Sequence, residues 1–138
     1  MVNRFQGLLA VLSISAMLTG QGRCDSTQPL PPDYNTCIAQ ANGVTAAMLR
    51  CSNGELERQT LRLNRAMRLI MDSPRISPQR KQELLSGQKE WEASRDKDCL
   101  ATAQREADGG SLASVIARDC AVSKTAARAA ELETIARE

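Results

Sequence analysis

Cys37 and Cys51 stand on either side of Asn42-Gly43, and Cys99 and Cys120 stand on either side of Gly109-Gly110. That arrangement constrains the chain more than any other feature. Four cysteines allow three pairings. The two that span a turn signal, Cys37 with Cys51 and Cys99 with Cys120, are favoured because each turn can bring its flanks together. On one continuous helix Cys37 and Cys51 would lie about 21 Å apart. Bridged cysteines need Cα atoms within roughly 7 Å. The first pairing therefore requires the chain to fold back at Asn42-Gly43. A bridge closing a loop of this length contributes about 3 kcal/mol in the chain-entropy description.

Disulfides presuppose an oxidising compartment, and the start of the chain supplies a route to one. Residues 1–22 read as a signal peptide: Arg4 is the positive end, Gly7 to Leu18 is an apolar run too short to span a bilayer, and Gly20 and Gly22 fit a cut after Gly22. Cys24 follows Arg23, so the small residue that precedes an acylated cysteine is missing and the lipid-anchor signal is out of register. The expectation is a periplasmic or secreted bacterial protein. Cys24 is then the odd cysteine, free or able to cross-link two chains. A zinc site is disfavoured, because no two cysteines have the close spacing that such sites use.

The remainder, 23–138, suits one small domain. Its net charge is near +1 once Arg4 leaves the whole-chain value of +2, which demands neither nucleic acid nor an anionic membrane. Aromatic residues make up 2% of the chain, too few for base-stacking platforms. There is no histidine, which excludes histidine triads and histidine general bases. A core so poor in aromatics must be built from Leu, Ile, Val, Met and Ala, and that suits helices.

Residues 23–33 read as a linker, because Pro29, Pro31 and Pro32 oppose helix and strand alike. A short helical turn follows from Tyr34 to Ala41. Thr45 can cap a long helix to about Met71, on which Leu49, Leu56, Thr60, Leu63, Met67 and Ile70 recur with a period near 3.6. Ser52 with Glu55 could cap a restart at Gly54. Arg58, Arg62, Arg65 and Arg68 lie mostly off that stripe; they form either a solvated face or a row for a protein partner. Ser77-Pro78 starts a third helix ending near Asp108, and Ser111 caps a last, alanine-rich helix. No stretch alternates as a strand would. The fold expected is all-α: a small disulfide-stapled bundle of one short and three longer antiparallel helices over 34–138.

Catalytic chemistry is absent from the sequence. Glu90, Glu92, Asp96 and Asp98 crowd one helix, but Lys89, Arg95 and Lys97 are interleaved with them, as on an exposed ion-paired face. Ser94 and Ser123 have no histidine to activate them, and no glycine-rich loop follows a strand. No enzyme, cofactor or metal is expected. On the third helix Leu84, Gln88, Trp91, Arg95 and Cys99 share one face. Solubility alone would not select such a mixture of apolar, amide, cationic and thiol groups.

Those residues belong to a longer series: Cys37, Thr45-x-x-Met48-x-x-Cys51, Leu63-Asn64, Gln88-x-x-Trp91-x-x-x-Arg95-Asp96-x-x-Cys99, Gly109-Gly110-Ser111, then Cys120, Thr125, Arg128 and Leu132. The series resembles the bacterial lysozyme inhibitor LprI-like family over about 33–135. Thr60 and Met67 depart from it, standing where the family has an aspartate and a tyrosine. The resemblance implies an exported, helical, disulfide-bonded protein whose partner is a protein, namely a lysozyme-type muramidase that it inhibits. The alternative is a non-catalytic periplasmic adaptor docking a partner through Arg58, Arg62 and Arg65. The motif residues Asn64, Gln88, Trp91, Arg95 and Asp96 are expected to act as scaffold. Trp91 should pack on Leu63 and the last helix, and Arg95 should bond to Asn64, a backbone carbonyl or a nearby acid.

Overall fold

The computed structural model describes residues 30–138. The signal segment 1–22, Cys24 and the linker up to Pro29 lie outside the described residues. Four helices follow: α1 (Pro32–Gln40), α2 (Thr45–Asp72), α3 (Pro78–Ala107) and α4 (Leu112–Arg137). Helix α1 begins two residues before the expected Tyr34. Pro32 occupies a first-turn position, where its missing N–H is no loss and its fixed φ fits the helix.

The turns use the residues that their backbone needs. Asn42 and Gly43 have φ of 48° and 76°, and Asp108 and Gly109 have 43° and 78°, all in the left-handed region where glycine carries no Cβ penalty. The α2–α3 connection has no such residue. It is set instead by Pro74, Pro78 and Ser77, whose hydroxyl accepts from the Arg80 N–H at 3.2 Å. Two expected caps are not made. Val44, not Thr45, is the N-cap of α2 and offers no side-chain oxygen. Ser111 stands at the start of α4 without a side-chain bond. Helix α2 also continues through Gly54. Ser52 and Glu55 are turned inward, both fully buried, so neither caps a restart.

Helix α4 is the axis of the fold, packing on both α2 and α3. Its polarity against each follows from which residues meet. On α2, Ser52 reaches Asp119 and Arg62 reaches Glu133, so the numbers rise together and the helices run parallel. On α3, Gln88 meets Arg128 and Cys99 meets Cys120, so the numbers run in opposite senses. The three long helices therefore go up, down and up. Because α4 is covered on two sides, its buried positions spread around it: Cys120, Ala121, Val122, Thr125, Ala126, Ala129 and Leu132. A single apolar stripe would not serve such a helix. Ala126 and Ala129, 2% and 0% exposed, let α2 approach closely.

The main apolar cluster joins Leu63, Ala66 and Ile70 of α2, Leu84 of α3 and Ala129 and Leu132 of α4. A second gathers Tyr34, Cys51 and Val122 beneath α1. The cysteines pair as the turns suggest, Cys37–Cys51 with Cα atoms 5.8 Å apart and Cys99–Cys120 at 5.4 Å. Both bridges lie toward the end of the bundle where Ser52 meets Asp119: the first holds α1 on α2, the second holds α3 on α4. No described helix is long and apolar enough to cross a membrane.

Burial this complete at Leu132 has a measurable consequence. Leu132→Ala should lower the unfolding free energy by about 3 kcal/mol, whereas Leu61→Ala, at a position 61% exposed, should change it by less than about 0.5 kcal/mol. Denaturant unfolding of the oxidised protein reads both.

Candidate functional site

The polar stripe of α3 faces α4 and is joined to it by a ladder of contacts. Gln88 is buried; its amide oxygen accepts from Arg128 Nε at 3.1 Å and its NH2 donates to Glu92 at 3.1 Å. Trp91 is half-buried against the cluster that contains Leu63, Ala129 and Leu132. The guanidinium of Arg95 stands 5.1 Å from its ring centroid and that of Arg128 stands 6.0 Å away, within cation–π range. Arg95 also donates to Asp96 at 2.8 Å and to the buried Thr125 hydroxyl at 3.3 Å. Lys124 donates to Asp98 at 2.7 Å, and Cys99–Cys120 forms the last rung. Arg95 thus finds a nearby acid and a hydroxyl, but not Asn64. Asn64 is exposed on the outer side of α2, and Asp96 is exposed beyond Arg95.

The arginines of α2 do not form one free row. Arg58 donates from Nε and Nη2 to the buried carboxylate of Glu55, at 2.8 Å and 2.6 Å, and Gln59 donates to the same carboxylate at 2.6 Å. A carboxylate with no exposure needs such partners. Arg62 makes a two-pronged pair with Glu133 of α4 at 2.5 Å and 2.6 Å. That pair lowers the Glu133 pKa and raises that of Arg62. Arg65 is exposed and has no ionic partner among the described residues. It lies between the exposed Leu61 and Leu69.

One cluster was not foreseen from the sequence. Tyr34 donates its hydroxyl proton to Asp119, Ser52 donates to the same carboxylate oxygen at 2.5 Å, and the two hydroxyls are 3.0 Å apart. Three helices, α1, α2 and α4, meet there. Burial and the hydrogen bond to Asp119 raise the Tyr34 pKa. The only sequence signal was the isolated tyrosine in a chain nearly devoid of aromatics.

Two of the depressions on the described surface lie beside these residues. One, of about 570 Å³, lies over α4 between Leu49 and Leu56 of α2 and Arg95 and Leu100 of α3. The other, of about 320 Å³, runs beside the Cys37–Cys51 bridge between Arg50 and Arg58. Neither contains a nucleophile with a base. Among the described residues no three His, Cys, Asp or Glu side chains are grouped to hold a metal ion. The arrangement suits binding by shape and charge.

A family model described as lysozyme inhibitor LprI matches residues 37–132. This chain belongs to the lysozyme inhibitor LprI family. The match begins at the first cysteine of one bridge and ends at Leu132 in the core, so it covers all four paired cysteines and the whole α3–α4 ladder. No curated protein and no solved structure gives a significant match. Within the LprI series, Gln88, Trp91, Arg95, Cys99, Cys120, Thr125 and Arg128 make contacts between α3 and α4.

The Arg62–Glu133 pair carries a pH dependence. A carboxyl whose folded pKa is depressed adds stability that is present above its unfolded value, near 4.3, and is lost as pH falls through the lower folded value. Glu133→Gln should therefore flatten part of the acid limb of the stability curve below about pH 5. Both partners are about one-third exposed, so the effect should stay under about 1 kcal/mol. Urea unfolding between pH 2 and pH 7 checks it.

Proposed function

We propose that this chain is an exported envelope protein that binds and inhibits a lysozyme-type muramidase. The observation that carries the reading is the lysozyme inhibitor LprI match over residues 37–132, a span that folds as one doubly bridged body. A rigid body of this kind suits inhibition, because little conformational freedom is lost on binding. The bridges also favour a periplasmic or secreted location. The protein is not an enzyme in this reading. The one buried carboxylate among the described residues, Glu55, is taken up by Arg58 and Gln59, and the acids of α3 lie on the surface or on the ladder. Gln88, Trp91 and Arg95 then serve as scaffold, holding α3 on α4, with Asp96 bonded to Arg95 along α3.

Purified, oxidised protein should slow lysis of a cell-wall suspension by at least one class of muramidase, c-type, g-type or i-type, near one-to-one stoichiometry. Unchanged lysis by all three classes would contradict the reading.

A second reading, an adaptor that docks a protein partner through a helix face, is favoured by the exposed Leu61 and Leu69 flanking Arg65. Arg65→Glu is its clean probe, since reversing Arg58 or Arg62 would also break an internal pair. The adaptor reading expects the variant to lose partners captured from a periplasmic extract; an unchanged set of partners removes its support.

A further inference from the structure

A muramidase cleft is concave and carries two carboxylates across the scissile bond. A convex, ordered element bearing a cation is complementary to such a cleft. The bundle offers two long-helix tips, and they differ in both respects. The 108–111 tip turns through left-handed Asp108 and Gly109 and carries acid: between 105 and 111 stand Glu106 and Asp108 against Arg105. The 73–77 tip contains no glycine and no positive φ. Ser73 accepts from the Arg75 backbone N–H at 3.2 Å, and Ser77 caps α3. Ile76 packs back into the main apolar cluster. Between 65 and 81 the basic residues are Arg65, Arg68, Arg75, Arg80 and Lys81, and Asp72 is the only acid. Arg75 lies at the apex, exposed, with no ionic partner among the described residues.

We infer that the α2–α3 tip is the element that enters the muramidase cleft, with the Arg75 guanidinium directed at its catalytic carboxylates. This rests on the inhibitor reading above. A guanidinium suits the task because its planar fork can hold a carboxylate through two parallel hydrogen bonds. Prolines on both sides and the inward Ile76 hold the tip before contact, so ordering it costs little on association. Arg68, one turn back from the end of α2, and Lys81 on the first turn of α3 add positive potential toward the apex. The exposed Leu69 supplies apolar area beside it.

The test measures the inhibition constant of the oxidised, full-length mature chain against a muramidase that it inhibits. Arg75→Glu should weaken inhibition by about 100-fold and Arg75→Ala by about tenfold. Glu106→Lys, at the other tip, should leave it within about threefold. Arg75 is exposed, so the thermal midpoints of its variants should match the parent. A soluble N-acetylglucosamine oligomer that fills the cleft should compete with the inhibitor. Parent-like inhibition by Arg75→Glu, or inhibition indifferent to the oligomer, overturns the tip assignment and leaves the inhibitor reading standing. Failure of the unmutated protein to inhibit any class removes the inhibitor reading, and the tip assignment with it.

Discussion

Everything in this bundle depends on α4 being covered from two sides. Two helices that pack on a third can both be held only if the shared helix buries residues around most of its circumference and lets its neighbours come close. Ala121, Ala126 and Ala129 meet that need, with Val122 and Leu132 supplying the larger side chains. The parallel α2–α4 seam carries most of the main apolar cluster and, beside it, the Ser52–Asp119 and Arg62–Glu133 contacts. The antiparallel α3–α4 seam carries a polar ladder, with Gln88, Arg95, Thr125 and Arg128 bonded across or along it. Such a ladder is stable only when its members are satisfied, since a buried polar group without a partner costs more than an apolar one in its place. The register that satisfies these side chains also brings Cys99 against Cys120.

The second dependence is at the N-terminal end of α2. Helix α1 is nine residues long, too short to hold its own conformation in water. It is fixed by the Cys37–Cys51 bridge and by Tyr34, whose ring enters the core while its hydroxyl meets Asp119 and Ser52. The chain's only tyrosine is placed where one residue can supply both apolar area and a hydrogen bond.

Much of this was legible before the structure. The cysteine pairing followed from two turns whose residues tolerate left-handed backbone, and the helical class followed from the 3.6 period and the lack of aromatics. The α3 stripe showed as polar groups at helical spacing. What stayed hidden was tertiary. Ser52 and Glu55 matched a capping box, yet the pattern is also compatible with two inward polar residues whose partners, Asp119 and Arg58, sequence spacing does not reveal together. The Arg58–Arg68 row read as one face because a helical wheel shows angle and not neighbours; Arg62 is within reach of Glu133 only because α2 and α4 run parallel. Asn64 stands beside the core residue Leu63 in the motif but projects outward, one position round the helix. The sequence already showed that of the two tips only 106–111 is acidic; the structure adds that they stand at opposite ends of α3.

Under the proposed function the doubly bridged bundle acts by being a rigid shape. Rigidity of that kind must reside in α4 if the account is right. Native-state hydrogen exchange of the oxidised protein measures it residue by residue. The backbone amides from Val122 to Leu132 should be the slowest in the chain and should exchange only through global unfolding. Exchange of those amides through local opening, at rates like those of α1 or the helix ends, would contradict the central place given to α4.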